Sequence, residues 1–250
     1  MDTNTTPQKT SVSLHIVSPL ISSTTLSKHC GRQVLLKLDN TQPSGSFKIR
    51  GIGNLIQKGI EKGYDHVVTS SGGNAGMAAA YASRKMGIPA TVVIPESTPK
   101  FMISQLQQEN ADVIVHGPVW NVAHEKAEEL AQNETCCLVH PFDHPDIWEG
   151  HSTLVNEILE QSPEKPAAVV VSVGGGGLLC GIMKGLHENN EHRMLVEPAC
   201  GAALAAGYSG IIQELISKDI IHKDGPIIFV VCGGNVVTLE LLKAWMNQFK

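Results

Sequence analysis

Apolar runs of strand length alternate with segments of helical period along most of the 250-residue chain. This alternation is typical of βα units, in which crossover helices cover the faces of parallel strands. We therefore predict an α/β fold built on open, mainly parallel sheets flanked by helices. The strands are predicted over residues 33–38, 66–70, 90–94, 111–115, 167–173 and 227–232, with helices in most of the intervals between them.

The least regular stretch of the sequence runs from His140 to Pro145 and contains two prolines. Prolines at this density favour a connecting segment over a helix or a strand. We therefore predict a connection between two domains at this point. A small α/β domain is expected over 41–144, and a larger domain is expected from the two chain ends, 1–40 and 145–250.

The composition argues against several kinds of partner and cellular compartment. A formal net charge of −5 and a pI near 6.1 argue against nucleic acid as a partner. The six cysteines include no C-x-x-C pair, which disfavours a disulfide framework or a zinc site. No apolar run approaches the ~20 residues of a membrane span, and the N-terminus carries no export signal. We expect a cytoplasmic protein without membrane contact.

His140 and His144 have a spacing that also occurs in metal sites. Pro141 and Pro145 disfavour a single helix that would bring both rings to one face, because proline interrupts the helical hydrogen bonds. We therefore predict no metal ion at this pair.

Three of the predicted strands run directly into glycine-rich turns, over 69–76, 173–178 and 232–235. In open parallel sheets, ligands bind at the carboxyl ends of the strands. A glycine run between a strand and a helix directs successive backbone N–H groups to the helix N-terminus, which favours an anion such as phosphate. The tetraglycine from Gly174 to Gly177 is therefore the predicted phosphate site.

The glycine turns by themselves also fit nucleotide-binding proteins. A P-loop is excluded, because no Lys-Ser or Lys-Thr pair follows the glycines. A dinucleotide site is less easily excluded, since Gly175 and Gly177 open a helix and Glu197 lies 20 residues beyond Gly177. Cys180 stands where the third glycine of that motif would be. An NAD-dependent oxidoreductase is therefore the weaker alternative.

A lysine beside an aromatic residue starts a predicted helix in the segment P-S-G-S-F-K-I-R-G, over 43–51. Ser46 is the expected helix cap. In a chain with a separate phosphate site, such a lysine is what an aldehyde cofactor with a phosphate tail requires. A lone lysine is more commonly a solvated surface residue. Both interpretations of Lys48 stay open on this segment alone.

The motifs taken together resemble those of a known family. The chain contains, in this order, P-S-G-S-F-K-I-R-G, S-S-G-G-N-A-G-M-A-A-A-Y-A, V-G-G-G-G-L-L, V-E-P-A-C-G-A-A-L-A-A and V-C-G-G-N. It is similar in these motifs to the serine/threonine dehydratases, pyridoxal-phosphate enzymes of the tryptophan-synthase-β type, also called fold type II. The resemblance covers nearly the whole chain and implies two open sheets, with the cofactor bound by the larger domain.

The resemblance also implies roles for individual residues. Lys48 would bind pyridoxal 5′-phosphate covalently and take the Cα proton of the substrate, and Phe47 would lie against one face of the cofactor ring. Cys232 would approach the pyridine nitrogen as a neutral partner. The cofactor phosphate would be held by Gly174, Gly175, Gly176 and Gly177, the ring 3′ oxygen by Asn74, and the substrate carboxylate by Ser71, Gly72, Asn74 and Ala75.

The activity implied by the resemblance is the β-elimination of L-serine to pyruvate and ammonia, with L-threonine, which gives 2-oxobutanoate, as the second substrate. A thiol at position 232 cannot keep the ring nitrogen protonated as an aspartate does, which favours loss of the β-hydroxyl over transamination. The family further implies a homodimer and a monovalent cation such as K⁺, whose ligands in the family lie in a part of the large domain that precedes the V-E-P-A segment.

The sequence departs from the family between Gly177 and Glu197, which are only 20 residues apart. This interval is enough for one helix, over 178–187, and a short linker. At ~25 to 30 residues per βα unit, two to three units are missing before Glu197, with a junction at 189–193. We expect a truncated large domain. A catalytically silent protein that binds pyridoxal phosphate or a partner therefore stays open as the alternative function.

Overall fold

The computed structural model describes residues 13–189, 195–197 and 200–233, which form two sheets flanked by helices. The strands are β1 (Leu20–Ser22), β2 (Val34–Lys37), β3 (His66–Thr69), β4 (Ala90–Ile94), β5 (Asp112–Val115), β6 (Cys136–Val139), β7 (Ala168–Ser172), β8 (Leu195–Glu197) and β9 (Ile227–Val230). The helices are α1 (Thr24–Cys30), α2 (Lys48–Glu61), α3 (Asn74–Met86), α4 (Lys100–Gln108), α5 (Trp120–Leu130), α6 (Pro145–Gln161), α7 (Gly177–Glu188), α8 (Cys200–Tyr208) and α9 (Ile211–Ser217).

The five-stranded sheet has the order β1-β2-β9-β7-β8, and the four-stranded sheet has the order β5-β4-β3-β6. Every pair is parallel except β1 with β2, so the predicted mainly parallel α/β fold is confirmed. All six predicted strands are present, while β1, β6 and β8 are additional. The strands of the four-stranded sheet lie between 66 and 139. They fall inside the range predicted for the small domain, whose boundaries stay a prediction.

Strand β9 lies between a strand from the N-terminal part of the chain and a strand from its C-terminal half. β9 pairs with β2 on one side and with β7 on the other. The segment before α2 follows the end of this strand, since the Asn40 N–H donates to the Val231 carbonyl and the Phe47 N–H donates to the Cys232 carbonyl, both at 2.9 Å. Lys48, the first residue of α2, is thereby placed at the carboxyl edge of the five-stranded sheet.

Helix α2 forms because its apolar residues recur with a helical period, and the side chains of Ile49, Ile52, Leu55 and Ile56 are all buried. The prediction that Ser46 caps this helix is wrong. Phe47 occupies the N-cap position without a side-chain hydrogen bond, and Ser46 pairs through its backbone with Gly233. The Ser46 hydroxyl is buried and has no hydrogen-bond partner in the described part of the chain.

A buried network of ion pairs fixes α2 against its neighbours. Arg50 makes two-pronged contacts with Asp39, at 2.7 and 2.8 Å, and with Glu157, at 2.5 and 2.8 Å. Lys37 donates to Glu157 at 2.6 Å and to the Ser18 carbonyl at 2.7 Å. Two cations thus face two carboxylates in a region closed to water, which ties the end of β2 to α2 and α6.

Replacing Arg50 by Ala removes the cation that both buried carboxylates share. We expect the free energy of unfolding to fall by about 3–5 kcal/mol, because two buried negative charges lose their partner. Urea denaturation followed by circular dichroism measures this loss. Arg84→Ala is the control, since it breaks the partly exposed Arg84–Glu109 pair at 2.7 Å and should cost ~1 kcal/mol or less. Equal losses in the two variants would contradict the role of Arg50 as the shared partner of two buried carboxylates.

The region around the predicted truncation forms one compact βαβ unit. β7 leads through α7 to β8, which pairs in parallel with β7 at the edge of the sheet. The predicted helix over 178–187 is confirmed as α7. Glu197 ends β8 opposite Ser172, while residues 190–193 of the predicted junction lie outside the described residues.

Candidate active site

Lys48 lies where the two sheets meet. Its ammonium donates a hydrogen bond to the Pro141 carbonyl at 2.6 Å and lies 5.1 Å from the centroid of the Phe47 ring. Burial lowers the pKa of Lys48 to about 8, although the neighbouring Cys232 acts in the opposite direction. A far larger fraction of this amine is therefore unprotonated near neutral pH than of a surface lysine.

The ring of Phe47 packs against the ring of a buried histidine. Its ring is tilted by 55° against that of His151, with 5.0 Å between the centroids. Burial, followed by the charges of Lys48 and Arg50, moves the pKa of His151 well below its usual value. Neither ring nitrogen of His151 has a hydrogen-bond partner among the described residues. Phe47 therefore packs against an uncharged imidazole.

The tetraglycine turn follows β7 and leads into α7, and its glycines face two different surroundings. A Cβ atom on Gly174 or Gly176 would meet no described heavy atom within 4 Å, whereas on Gly175 it would lie 2.3 Å from Cδ1 of Phe142. On Gly177 it would lie 2.5 Å from the Phe142 carbonyl oxygen. Gly176 has a φ of +85°, which favours glycine. The turn thus packs on Phe142 and leaves open space beside its other two glycines.

The second glycine turn leads from β3 into α3, which begins at Asn74 after the N-cap residue Gly73. The first N–H groups of a helix have no partner within the helix and attract anions. The Ser71 hydroxyl accepts the Gly73 N–H at 3.3 Å, and a Cβ on Gly76 would lie 1.7 Å from the Ser71 carbonyl oxygen. The backbone over the predicted carboxylate site, Ser71, Gly72, Asn74 and Ala75, is therefore fixed by close packing.

Asn74 brings this turn to the end of β9. Its Nδ2 atom lies 3.2 Å from the place where a Cβ on Gly233 would stand. Its Oδ1 atom is buried and makes no hydrogen bond within the described ranges. An unused polar atom in a buried place is costly. The Asn74 amide therefore has one end available for a polar group of a ligand.

Cys232 follows β9 and is buried beside a hydroxyl that sequence reasoning missed. The Cys232 thiol lies 3.0 Å from the Ser172 hydroxyl, and Ser172 is the last residue of the adjacent strand β7. The signal in the sequence is the place of Ser172, just before the tetraglycine turn. Gly234 and Asn235, which belong to the third predicted glycine turn, lie outside the described residues.

The segment over 140–145 contacts both the lysine and the tetraglycine, which the sequence did not reveal. Pro141 accepts the hydrogen bond from Lys48, and Phe142 packs on Gly175. Strand β6, which leads into the segment, is not among the predicted strands. On sequence alone, the prolines of the segment indicate only a connection between domains.

His140 and His144 each use Nδ1 within their own turns. His140 Nδ1 accepts the N–H groups of Phe142 and Asp143, at 3.3 and 2.8 Å. His144 Nδ1 accepts the Asp146 N–H at 3.1 Å and caps α6. Their spacing therefore has a local structural explanation.

The comparisons with known proteins agree with this geometry. Residues 12–193 match a family described as pyridoxal-phosphate dependent enzyme. The chain belongs to this family. It is 38% identical to human serine dehydratase-like, covering 94% of this chain and 95% of that protein, and 39% identical to bovine L-serine dehydratase/L-threonine deaminase, covering 94% and 96%. Among solved structures it is similar to a fungal L-serine ammonia-lyase from Rhizomucor miehei, with a TM-score of 0.83 and 25% identity over 95% of this chain and 99% of that one.

The same comparison confirms the missing internal segment. The alignment with the human relative runs over 314 positions, yet 94% of this 250-residue chain is only about 235 residues. Roughly 80 positions of the relative therefore have no counterpart here. The family match ends at residue 193, inside the predicted junction.

Three observations fit pyridoxal phosphate as the group that the family implies. A buried lysine with a lowered pKa lies beside an aromatic ring. Two glycines of the tetraglycine turn border open space at a helix N-terminus, and the buried Asn74 Oδ1 lacks a partner in the residues described. The dinucleotide interpretation of Gly175, Gly177 and Glu197 is not favoured by the family match.

The variants Gly175→Ala and Gly174→Ala distinguish the glycine that packs on Phe142 from the one that borders open space. We expect Gly175→Ala to destabilise the protein by about 1–3 kcal/mol, because the new methyl group overpacks against Phe142. Gly174→Ala introduces the same methyl group into open space and should leave stability within about 0.5 kcal/mol. Thermal and urea unfolding of the cofactor-free proteins measure both effects. A Gly174→Ala variant as unstable as Gly175→Ala would show that the open space is filled by protein.

Proposed function

We propose that this chain catalyses the pyridoxal-phosphate-dependent β-elimination of L-serine to pyruvate and ammonia, and of L-threonine to 2-oxobutanoate. The observation that carries the proposal is the buried amine of Lys48, which donates to the Pro141 carbonyl after β6 and lies near Cys232 after β9. The names of the similar relatives, serine dehydratase and threonine deaminase, support the substrate class. The comparisons favour this activity over the silent binding protein and over the NAD-dependent oxidoreductase.

Several residues would hold the cofactor. The N–H groups of Gly174, Gly175, Gly176 and Gly177 would bind its phosphate at the start of α7. The Asn74 Nδ2 group would donate a hydrogen bond to the oxygen on the ring, and Phe47, supported by His151, would lie against one ring face. When bound, pyridoxal phosphate supplies an electron-accepting ring that stabilises negative charge at the substrate Cα.

The proton transfers would belong to Lys48. Its Nζ atom would hold the cofactor covalently, and the freed amine would take the Cα proton of the substrate. The lowered pKa suits this role, because a general base works best when its pKa is near the working pH. The carbonyl of Pro141 fixes the direction of the amine.

The substrate carboxylate would bind at the N-terminus of α3. The backbone N–H groups of Ser71, Gly72, Asn74 and Ala75 offer positive partial charge there, and the helix dipole adds to it. With its carboxylate fixed at this turn, the substrate would have its amino group facing the cofactor and its β-hydroxyl free to leave.

Cys232 would act as the neutral partner of the pyridine nitrogen, with the Ser172 hydroxyl holding its thiol at 3.0 Å. A carboxylate at this place would keep the ring nitrogen protonated and deepen the electron sink. A thiol does not, so loss of the β-hydroxyl is favoured over transamination.

Assembly, cation and compartment complete the proposal. We propose a cytoplasmic homodimer that uses a monovalent cation, K⁺ in the first instance. In the described part of the chain, no helix is both long and apolar enough to cross a membrane. Steady-state kinetics on L-serine and L-threonine, repeated over a series of monovalent cations, tests activity, preference and the cation together.

Lys48→Ala removes the proposed covalent attachment and the proposed base. We expect loss of pyruvate formation and of the borohydride-fixed adduct, while weak cofactor binding through the tetraglycine persists. Peptide mass spectrometry locates the adduct, and absorbance near ~410–420 nm follows the lysine-bound cofactor. Lys62→Ala, at the exposed far end of α2, is the control and should keep both the adduct and the activity. An adduct that survives in Lys48→Ala would overturn the proposal.

The pH dependence of cofactor capture follows from the lowered pKa of Lys48. Only the neutral amine attacks an aldehyde, so the capture rate should rise about tenfold per pH unit up to about 8 and level off above it. For a lysine with the ordinary pKa of about 10.4, the capture rate would still be rising at pH 10. Stopped-flow absorbance of cofactor-free protein mixed with pyridoxal phosphate measures the rate. A rise that continues beyond pH 9 would contradict the burial of this amine.

A further inference from the structure

The His140 side chain organises the turn that follows β6. Its Nδ1 atom accepts two backbone N–H groups, from Phe142 at 3.3 Å and from Asp143 at 2.8 Å. An imidazole nitrogen that accepts hydrogen bonds must be unprotonated, so the neutral ring carries its hydrogen on Nε2. This arrangement exists only while His140 is uncharged.

The turn held by His140 reaches two parts of the candidate site. The Pro141 carbonyl accepts the hydrogen bond of Lys48 at 2.6 Å. The Phe142 ring fills the space next to Gly175, and the Phe142 carbonyl accepts the Trp148 indole N–H at 3.1 Å. The lysine and the tetraglycine are thus both in contact with residues that lie within two positions of His140.

We infer that His140 is a positioning residue, whose neutral Nδ1 holds the Pro141 carbonyl against Lys48 and Phe142 against the tetraglycine turn, and whose protonation releases both contacts. Protonation places a hydrogen on Nδ1, which then repels the two N–H groups that it accepted. The inference rests on the proposed function only for its effect on cofactor capture.

Charged groups from three elements face the His140 ring. Burial lowers the pKa of His140, and the neighbouring His124 of α5 and Lys48 of α2 lower it further, while Asp143 of the same turn and Glu128 of α5 oppose them. The net direction is downward from the ordinary value of about 6.5. His140 is therefore neutral over the pH range in which Lys48 titrates.

Aromatic packing holds the ring in place from the side of α5. His124 lies 5.6 Å from His140 between centroids, in an edge-on arrangement, and stacks on Trp120 at 4.7 Å. The His124 Nδ1 atom lies 2.8 Å from the Ser70 hydroxyl, directly before the predicted carboxylate turn. The neighbours of His140 therefore connect it to the turn after β3 as well.

The test compares two replacements of His140. Asn can accept the same N–H groups through Oδ1, as in an Asx turn, but does not titrate. Leu fills similar space and accepts nothing. His144→Leu is the matched control, because it removes a histidine Nδ1 that caps α6 without touching the turn that contacts Lys48. Circular dichroism and thermal unfolding establish that each variant folds.

The first readout uses cofactor-free protein and does not depend on activity. Competitive acetylation of Lys48 with acetic anhydride, followed by peptide mass spectrometry across pH, gives the pKa of this amine. We expect a pKa near 8 in the wild type, in His140→Asn and in His144→Leu, as burial dictates. In His140→Leu the opened turn admits water, and the pKa should move toward about 10.4. An unchanged pKa in His140→Leu would overturn the inference.

The second readout is the slope of the capture rate against pH, measured by stopped-flow after a pH jump. In the wild type, the logarithm of the rate should fall with slope one below pH 8 and with slope two once His140 protonates. In His140→Asn the slope should stay at one throughout. A wild-type slope of one down to the lowest pH at which the protein stays folded, or a slope of two that persists in His140→Asn, would refute the switch. Absence of capture in the wild type would instead reject the proposed role of Lys48, while the acetylation result would still decide on the turn.

Discussion

The buried contacts of Arg50 are the interaction on which the placement of the site depends. Arg50 stands two residues after Lys48, and it binds Asp39, two residues after the end of β2, and Glu157 from α6. Burial on its own would raise the pKa of Asp39, but the hydrogen bonds and charge of Arg50 outweigh it and hold that pKa below the usual range. Buried charges are tolerated only when every partner is present. The network therefore allows one relative position of β2, α2 and α6, and Lys48 is placed by it.

The candidate site is assembled from the carboxyl ends of strands in both sheets. The five-stranded sheet contributes the tetraglycine after β7 and Cys232 after β9, and the four-stranded sheet contributes the turns after β3 and β6. Lys48 reaches two of these places, through its bond to the Pro141 carbonyl after β6 and through the bond from the Phe47 N–H to the Cys232 carbonyl after β9. Parallel strands make this convergence possible, since all their carboxyl ends lie at one edge.

The missing internal segment leaves the residues proposed to hold the cofactor in place. Phe47, Lys48 and Asn74, with the tetraglycine, precede the junction, and Cys232 follows it. The strand that follows the junction, β8, has three residues and forms the edge of the five-stranded sheet within the described ranges. The truncation thus falls at the side of the large sheet away from β2, where the start of α2 is anchored.

The strands with continuous apolar runs, the helical period of α2 and the glycine turns after β3 and β7 follow from the sequence alone, because these depend on neighbours a few residues apart. Three contacts depend on the folded chain: Ser46 pairs with Gly233 instead of capping α2, Ser172 lies beside Cys232, and the turn after β6 contacts Lys48. These contacts join residues that are 60 positions apart for Ser172 and Cys232, 93 for Lys48 and Pro141, and 187 for Ser46 and Gly233. Local periodicity carries no information at that range. The pairing of β9 between β2 and β7, together with the buried charges around Arg50, sets such contacts, because strand order and the neutralisation of buried charge are properties of the folded chain as a whole.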